Sequence, residues 1–256
     1  MLDDQQLAQF HRDGHLVVSA LLDDADIEEL RERTLAIANG EVPFPTDRIE
    51  LEPDAPRPRN PAAPGIDCIR KLNDCAVNDA VFRAHAGHPK ILRIIQQLLG
   101  PDIKLFGDQL FMKPPGGMEK TYHQDSPYFP IRPMNLVSSW VALDEVTLEN
   151  GCLWVIPGSH RLGALAHSEV WMVGDREDMC VPDHLFNREL ETPVLMQAGD
   201  CSFHHSLLLH RSGSNQTPNR RRGLATHYMS AQSTWVSDEP MPTYVQLSGE
   251  SFPGCV

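Results

Sequence analysis

Apolar and polar positions along this chain change rhythm near residue 100. Before that point the spacing is helical. Leu7 and Phe10 share one side of a segment over residues 3–13, which Gly14 ends. His15-Leu16-Val17-Val18 follows as a short strand, and Asp23 or Asp24 can cap a second helix reaching about residue 38. Ile27, Leu30, Leu35 and Ile37 are its candidate core positions. Residues 78–99 read as helical with a break at Pro89; Ile91, Leu92, Ile94, Ile95, Leu98 and Leu99 form a wide apolar face that Gly100-Pro101 stops.

Beyond residue 100, short apolar runs alternate with turn residues, at 103–113, 135–143, 152–156, 193–196, 200–204, 206–210 and 222–230. This pattern predicts an antiparallel sandwich or barrel, with the earlier helices buttressing one sheet. Two stretches have neither rhythm. Residues 41–65 carry seven prolines, and 161–192 show no periodicity. Both read as loops, the first either disordered or a lid and the second near the mouth and able to act as one. The chain is therefore expected to be one domain over 1–256: a helical and loop buttress to residue 100, a β core over 101–235 and a tail over 236–256.

Composition narrows the partners. A net charge of −13 opposes contact with phosphate backbones and excludes a general nucleic-acid binder, while leaving room for an anionic small molecule at a local cluster of arginines. No apolar run approaches the roughly 20 residues that cross a bilayer. The acidic start, Met1-Leu2-Asp3-Asp4, has no signal-peptide pattern, and none of the six cysteines forms a C-x-x-C pair. A cytoplasmic protein with buried thiols acting on a small-molecule substrate is expected; oligomeric state is not legible.

The chemistry-bearing residues are His123-Gln124-Asp125 and, much later, His210. Two imidazoles and one carboxylate hold non-haem Fe(II) on one face and leave the other open. In a strand, residues i and i+2 share a side, so His123 and Asp125 can grip one ion together. H-x-D also arises by chance in a chain with twelve histidines. Arg221 follows His210, and a fixed cation near iron suits the far carboxylate of a dicarboxylate co-substrate. Its neighbours Arg220 and Arg222 would turn to the opposite face and stand as fallbacks. Gln109, Phe111 and Lys113 share one strand face. His160, after Pro157-Gly158-Ser159, is assigned to a turn, and His204-His205 to structural or pocket-lining roles. Asn150-Gly151 reads as a tight turn requiring no chemistry.

Residues 147–160, Thr147-Leu148-Glu149-Asn150-Gly151-Cys152-Leu153-Trp154-Val155-Ile156-Pro157-Gly158-Ser159-His160, add a third motif. With the H-x-D and the distal His–Arg segment, the chain resembles the phytanoyl-CoA dioxygenase family of Fe(II)/2-oxoglutarate-dependent oxygenases, in order over residues 69–230. The resemblance implies a double-stranded β-helix, a cupin-like jelly roll with N-terminal helices on its major sheet. It implies His123, Asp125 and His210 as iron ligands and Arg221 as the partner of 2-oxoglutarate. Lys71, Gln109, Trp140 and Ser212 fall where family members contact that co-substrate. The implied reaction uses Fe(II), 2-oxoglutarate and O2 to hydroxylate an unactivated C–H bond, releasing succinate and CO2. The carboxylate of Asp125 disfavours halogenation. Trp171-Met172-Val173 and Trp235 are candidate apolar walls. An acyl-CoA 2-hydroxylase, with Arg57 and Arg59 near phosphates, is the substrate variant. A cupin-like metal-binding or sensor protein without turnover, and an O2-using dioxygenase independent of 2-oxoglutarate, are the competing readings.

Overall fold

The computed structural model describes residues 1–53, 55, 57–172 and 178–256. Its α-helices are α1 (Asp4–Asp13), α2 (Asp24–Ala38), α3 (Cys75–Asn78), α4 (Ala80–Ala86) and α5 (Pro89–Leu99). A large antiparallel sheet holds β1 (His15–Val18), β2 (Ile49–Leu51), β3 (Ile69–Asn73), β4 (Ile103–Phe111), β7 (Val137–Ala142), β12 (Cys201–His205), β14 (Gly223–Ser230) and β16 (Val245–Ser248). A smaller sheet holds β5 (Lys120–His123), β8 (Leu153–Val155), β11 (Thr192–Val194) and β13 (His210–Ser212). Two short pairs complete the set, β6 (Ile131–Arg132) with β15 (Thr234–Trp235) and β9 (Glu169–Met172) with β10 (Asp178–Cys180). The large sheet runs β1-β12-β7-β14-β4-β3-β2, with β16 on the free edge of β4. The two sheets make the jelly roll, a double-stranded β-helix.

The period of two along each central strand divides the interior. On β14, Leu224 and Tyr228 join the core beneath the helices, whereas Ala225 and His227 face the space between the sheets. On β7, Val137 and Val141 pack toward the helices while Trp140 and Ala142 face inward. The helices meet the outer face through Phe10, Ile27, Leu30, Phe82, Ile91, Ile94 and Ile95, all buried. Each such side chain contributes about 1.5–3 kcal/mol by leaving water. Helix α1 begins at a capping box, Asp3 with Gln6, and ends at Gly14 with φ 77°. Gly14 thereby turns the chain straight into β1. Helix α2 has the same device at Asp23 and Asp26.

Several expectations change. Leu35 is 45% exposed, because the buried stripe of α2 runs Ile27, Leu30, Thr34, Ile37; Thr34 takes the core position by donating its hydroxyl proton to the Leu30 carbonyl at 2.6 Å. The helical stretch begins at Cys75 and breaks at Asp79, whose carboxylate caps α4. The proline-rich loop contains β2, paired to β3. Residues 206–209 form a turn, and the strand starts only at His210. The division into buttress, core and tail is also less clean. Strands β1, β2 and β3 from the first hundred residues, and β16 from the tail, all lie in the large sheet. No helix of the described residues is long and apolar enough to cross a membrane.

Candidate metal centre and its pocket

The small sheet sets two imidazoles side by side. His210 on β13 is the direct cross-strand partner of His123 on β5, and their ring centroids are 4.2 Å apart. Asp125 joins them by a different route from the alternation expected of a strand. Strand β5 ends at His123, and Asp125 has helical angles, φ −74° and ψ −47°, at the head of a tight turn over Ser126–Tyr128. The Ser206 carbonyl accepts from the backbone N–H of both Asp125 and Ser126, at 2.9 and 3.0 Å, and fixes the bend. The carboxylate then curls back: its Oδ1 lies 3.9 Å from His123 Nε2 and 3.7 Å from His210 Nε2. All three donor atoms fall within 4.8 Å of one another.

The protonation pattern fits a cation. His123 Nδ1 faces the Thr121 carbonyl at 2.9 Å and His210 Nδ1 faces the Leu208 carbonyl at 3.0 Å. A carbonyl has no proton to give, so each Nδ1 donates and each Nε2 keeps its lone pair. Three lone-pair donors thus converge. Burial, followed by the neighbouring His210, holds His123 well below its usual pKa; burial likewise lowers His210. Burial alone would raise Asp125, but His210, His204 and His227 outweigh it and keep the carboxyl far below its ordinary range.

The large sheet supplies the backing. His204, Ser138 and His227 are register partners across β12, β7 and β14, forming one row on the inner face. They meet the other oxygen of Asp125: His204 Nε2 at 3.6 Å, Ser138 Oγ at 3.4 Å and His227 Nδ1 at 3.9 Å, with Ser138 Oγ 2.7 Å from His227 Nδ1. One carboxylate oxygen therefore faces the imidazole pair and the other is held from behind. His205, next in sequence to His204, points elsewhere, against His160. His160 lies in the turn Ser159–Leu162 and lines no part of this pocket.

The next rows of the same face carry Gln109, Trp140, Phe111 and Lys71. Trp140 and Gln109 flank Ala225, and Phe111 sits between Gly223 and Lys71. The Trp140 indole lies over Gly223, where an added Cβ would stand 1.8 Å from the ring. Lys71 is buried, 3.2 Å from Glu50 and over the Phe111 ring. Arg221 is 2% exposed, donates from one terminal nitrogen to the Gly151 carbonyl at 2.7 Å and lies 5.1 Å from the Trp140 ring centre. Its Nε is buried without a partner. Burial draws its pKa down to about 10, so it stays charged at neutral pH. Arg220 is held by Asp67, and Arg222 makes a two-pronged bond to Asp144 at 2.8 and 2.9 Å; neither lines the pocket. The Asn150-Gly151 turn supplies that carbonyl as the acceptor for Arg221. Ser212 lines the pocket beside Lys113.

A profile of the phytanoyl-CoA dioxygenase family matches residues 10–223. The chain belongs to the phytanoyl-CoA dioxygenase family. It is thereby a non-haem iron, 2-oxoglutarate-dependent oxygenase. The chain is 31% identical over 240 residues to the peroxisomal phytanoyl-CoA dioxygenase of Homo sapiens, covering 91% of this chain and 70% of that protein. It is 24% identical to phytanoyl-CoA dioxygenase 1 of Oryza sativa subsp. japonica, covering 95% and 97%. Among solved structures, EctD from S. alaskensis with bound Fe matches with a TM-score of 0.77 at 22% identity, covering 98% and 88%. The epimerase SnoN in complex with Fe3+, alpha ketoglutarate and nogalamycin RO matches with 0.73 at 22%, covering 96% of each chain. At such identities these two likenesses speak to the shared fold.

Within this family member, several residues in or behind the pocket escaped the sequence reading. Gln124, between the two predicted ligands, is fully buried. It donates to the Gly163 and Leu207 carbonyls at 2.9 and 2.7 Å and accepts from Leu165 N–H at 2.7 Å, stapling the start of the 161–192 stretch to the centre. That stretch holds the β9–β10 pair, and Val181 bonds to the Tyr122 carbonyl of β5. His227 could have been found by counting in twos from Gly223. Tyr128 and Phe129 line the mouth, with no sequence signal beyond aromatic character. Trp171 stands 5.2 Å from Lys120, a pocket residue, whereas Trp235 packs with Ile131 and Tyr244 away from it. Val173 lies outside the described residues.

Proposed function

We propose that His123, Asp125 and His210 hold Fe(II), and that Arg221 pairs with the far carboxylate of 2-oxoglutarate, with Gln109, Trp140, Ser212 and Lys71 lining the co-substrate's site. The observation that carries this reading is the combination of three converging lone-pair donors with a buried guanidinium whose Nε has no partner. A guanidinium in so dry a place calls for an anion, and a carboxylate fits its fork. The net reaction we assign is R–H plus O2 plus 2-oxoglutarate giving R–OH, succinate and CO2. Iron bound there would activate O2, the oxidant, with 2-oxoglutarate giving two of the four electrons and R–H the other two. The chain's own residues do the rest. The Nδ1–H bonds of His123 and His210 fix their rings. His204, Ser138 and His227 hold Asp125. Phe111, Trp140 and Ala225 keep water from the floor of the pocket.

The primary substrate is read as a small organic molecule. Tyr128, Phe129 and Met118 give the pocket apolar contact, and Arg70, Lys120 and Arg211 line it together with Glu52 and Glu119. The cytoplasmic placement belongs to this proposal; its support is that all six cysteines are unpaired. The peroxisomal setting in the names of the mammalian relatives is said of those proteins. The test is succinate formation by the Fe(II)-loaded protein, with 18O2, across small carboxylic acids, amino-acid derivatives and acyl-CoA thioesters. Substrate-stimulated succinate with labelled oxygen in the product is the expected result. Metal binding with no succinate from any of them would favour a non-catalytic binding protein, and thioester-only turnover would favour the acyl-CoA variant.

A further inference from the structure

A second cation is buried in the floor of this pocket. Lys113 follows β4 with φ +28°, unusual for a residue with a side chain, and is 7% exposed. Its ammonium donates to Ser212 Oγ at 3.0 Å and to the Gly213 carbonyl. Its own carbonyl accepts from Arg221 N–H at 3.1 Å and from Asn215 Nδ2 at 3.0 Å. One residue thus grips both ends of the segment joining the two sheets, Ser212 by its side chain and Arg221 by its backbone. Gly151 makes room for this: a Cβ there would stand 2.9 Å from Lys113 Cδ and 2.4 Å from the Gly213 oxygen. Among the described residues neither Lys113 nor Arg221 makes an ion pair, and every bond either cation makes goes to a neutral acceptor.

An ammonium has no lone pair, so Ser212 Oγ must be the acceptor in its bond with Lys113. The serine's own proton then leaves in another direction, and Ser212 lines the cavity. We propose that Lys113 is a positioning residue for the far carboxylate of 2-oxoglutarate, acting through the Ser212 hydroxyl, and that with Arg221 it selects a dicarboxylate over a monocarboxylate. This rests on reading the pocket as the 2-oxoglutarate site. Burial, then the charges of Arg221 and Arg70, push the Lys113 ammonium well below its usual pKa, against the opposing pull of Glu52 and Glu119. A lysine kept only for packing would be better replaced by an apolar side chain of similar length, since a buried charge without a counter-charge costs stability.

The test is calorimetric binding to the Mn(II)-loaded protein, with no turnover involved. Two ligands are compared: 2-oxoglutarate and 2-oxopentanoate, which has the same chain length without the far carboxylate. Lys113→Met should weaken 2-oxoglutarate by about tenfold or more and 2-oxopentanoate by less than about twofold. The thermal midpoint of the metal-free protein should hold or rise. Ser212→Ala should show the same ligand preference, and the double variant should be no weaker than Lys113→Met alone, because the two act in one relay. Equal weakening of both ligands, additive losses, or a lowered midpoint with 2-oxoglutarate affinity intact would each overturn the inference. Should Lys113→Met not fold, Lys113→Gln takes its place under the same criteria. Failure of the wild type to bind 2-oxoglutarate would sink the reading of the site itself. Loss in Arg221→Met with retention in Lys113→Met would sink only this inference.

Discussion

Replacing Arg221 by methionine removes a charge and keeps an unbranched stem, and the structure sets what this should do in two states. In the empty protein the guanidinium is buried with one hydrogen bond and an unpartnered Nε. Burial lowers its pKa from 12.5 to about 10. That depression corresponds to a cost on the order of 3 kcal/mol for keeping the charge there. Against it stand one charge-assisted bond to Gly151, about 1.5–3 kcal/mol, and the Trp140 contact. The two sides nearly cancel, so Arg221→Met should leave the stability of the empty protein within about 2 kcal/mol of wild type. Ligand binding is another matter. Losing one partner of a buried ion pair costs roughly 3–5 kcal/mol, and the Kd for 2-oxoglutarate should rise by roughly two to three and a half powers of ten. Urea unfolding of the metal-free protein and anaerobic titration of the Fe(II) form read the two effects separately. Arg220→Gln and Arg222→Gln, whose side chains are tied to Asp67 and Asp144, serve as controls. An Arg221→Met protein that binds 2-oxoglutarate as wild type does would refute the assignment.

Two further outcomes follow from the packing. His85 is buried with its Nε2 unpartnered, and burial lowers its pKa to about 3. The unfolded chain takes up this proton near pH 6.5 while the folded chain resists until about 3, so the contribution is full above pH 6.5 and is lost as pH falls. His85→Leu should flatten the acid limb of stability by up to about 1.4 kcal/mol per pH unit, read by urea unfolding at pH 7, 6 and 5; a parallel slope in both proteins would contradict this. Gly223→Ala places a methyl group against the Trp140 ring. It should lower stability by about 1–3 kcal/mol or more and change the near-ultraviolet circular dichroism of the tryptophans, and an unaltered spectrum with unaltered stability would count against the close stacking.

Much of this architecture was legible where a local rule acts alone. Gly14 marked the end of the first helix and the Asp23-Asp24 pair the start of the second, where Asp23 is the cap, and strand β1 fell on His15–Val18 as read. The choice of Arg221 over Arg220 and Arg222 came from the family resemblance, since alternation alone only turns it away from both neighbours. What failed to show depended on distant partners. Strand β2 sits in a proline-rich run because β3 offers it an edge, and β16 forms in the tail because β4 has one to spare. Asp125 reaches the imidazoles from a turn held by the Ser206 carbonyl, which no spacing in H-x-D reveals. Ser138 looked ordinary, since its place beside Asp125 arises from register across strands far apart in the chain, and Lys113 leaves its expected strand face because β4 ends at Phe111.

Anaerobic addition of Fe(II) and then 2-oxoglutarate, followed by the weak metal-to-ligand charge-transfer absorption, tests the convergence of His123, Asp125 and His210 most directly. One iron per chain is predicted, with the band appearing only after the co-substrate and vanishing in His210→Ala and Asp125→Ala. A band that persists undiminished in those variants, or none in the wild type, would contradict the account.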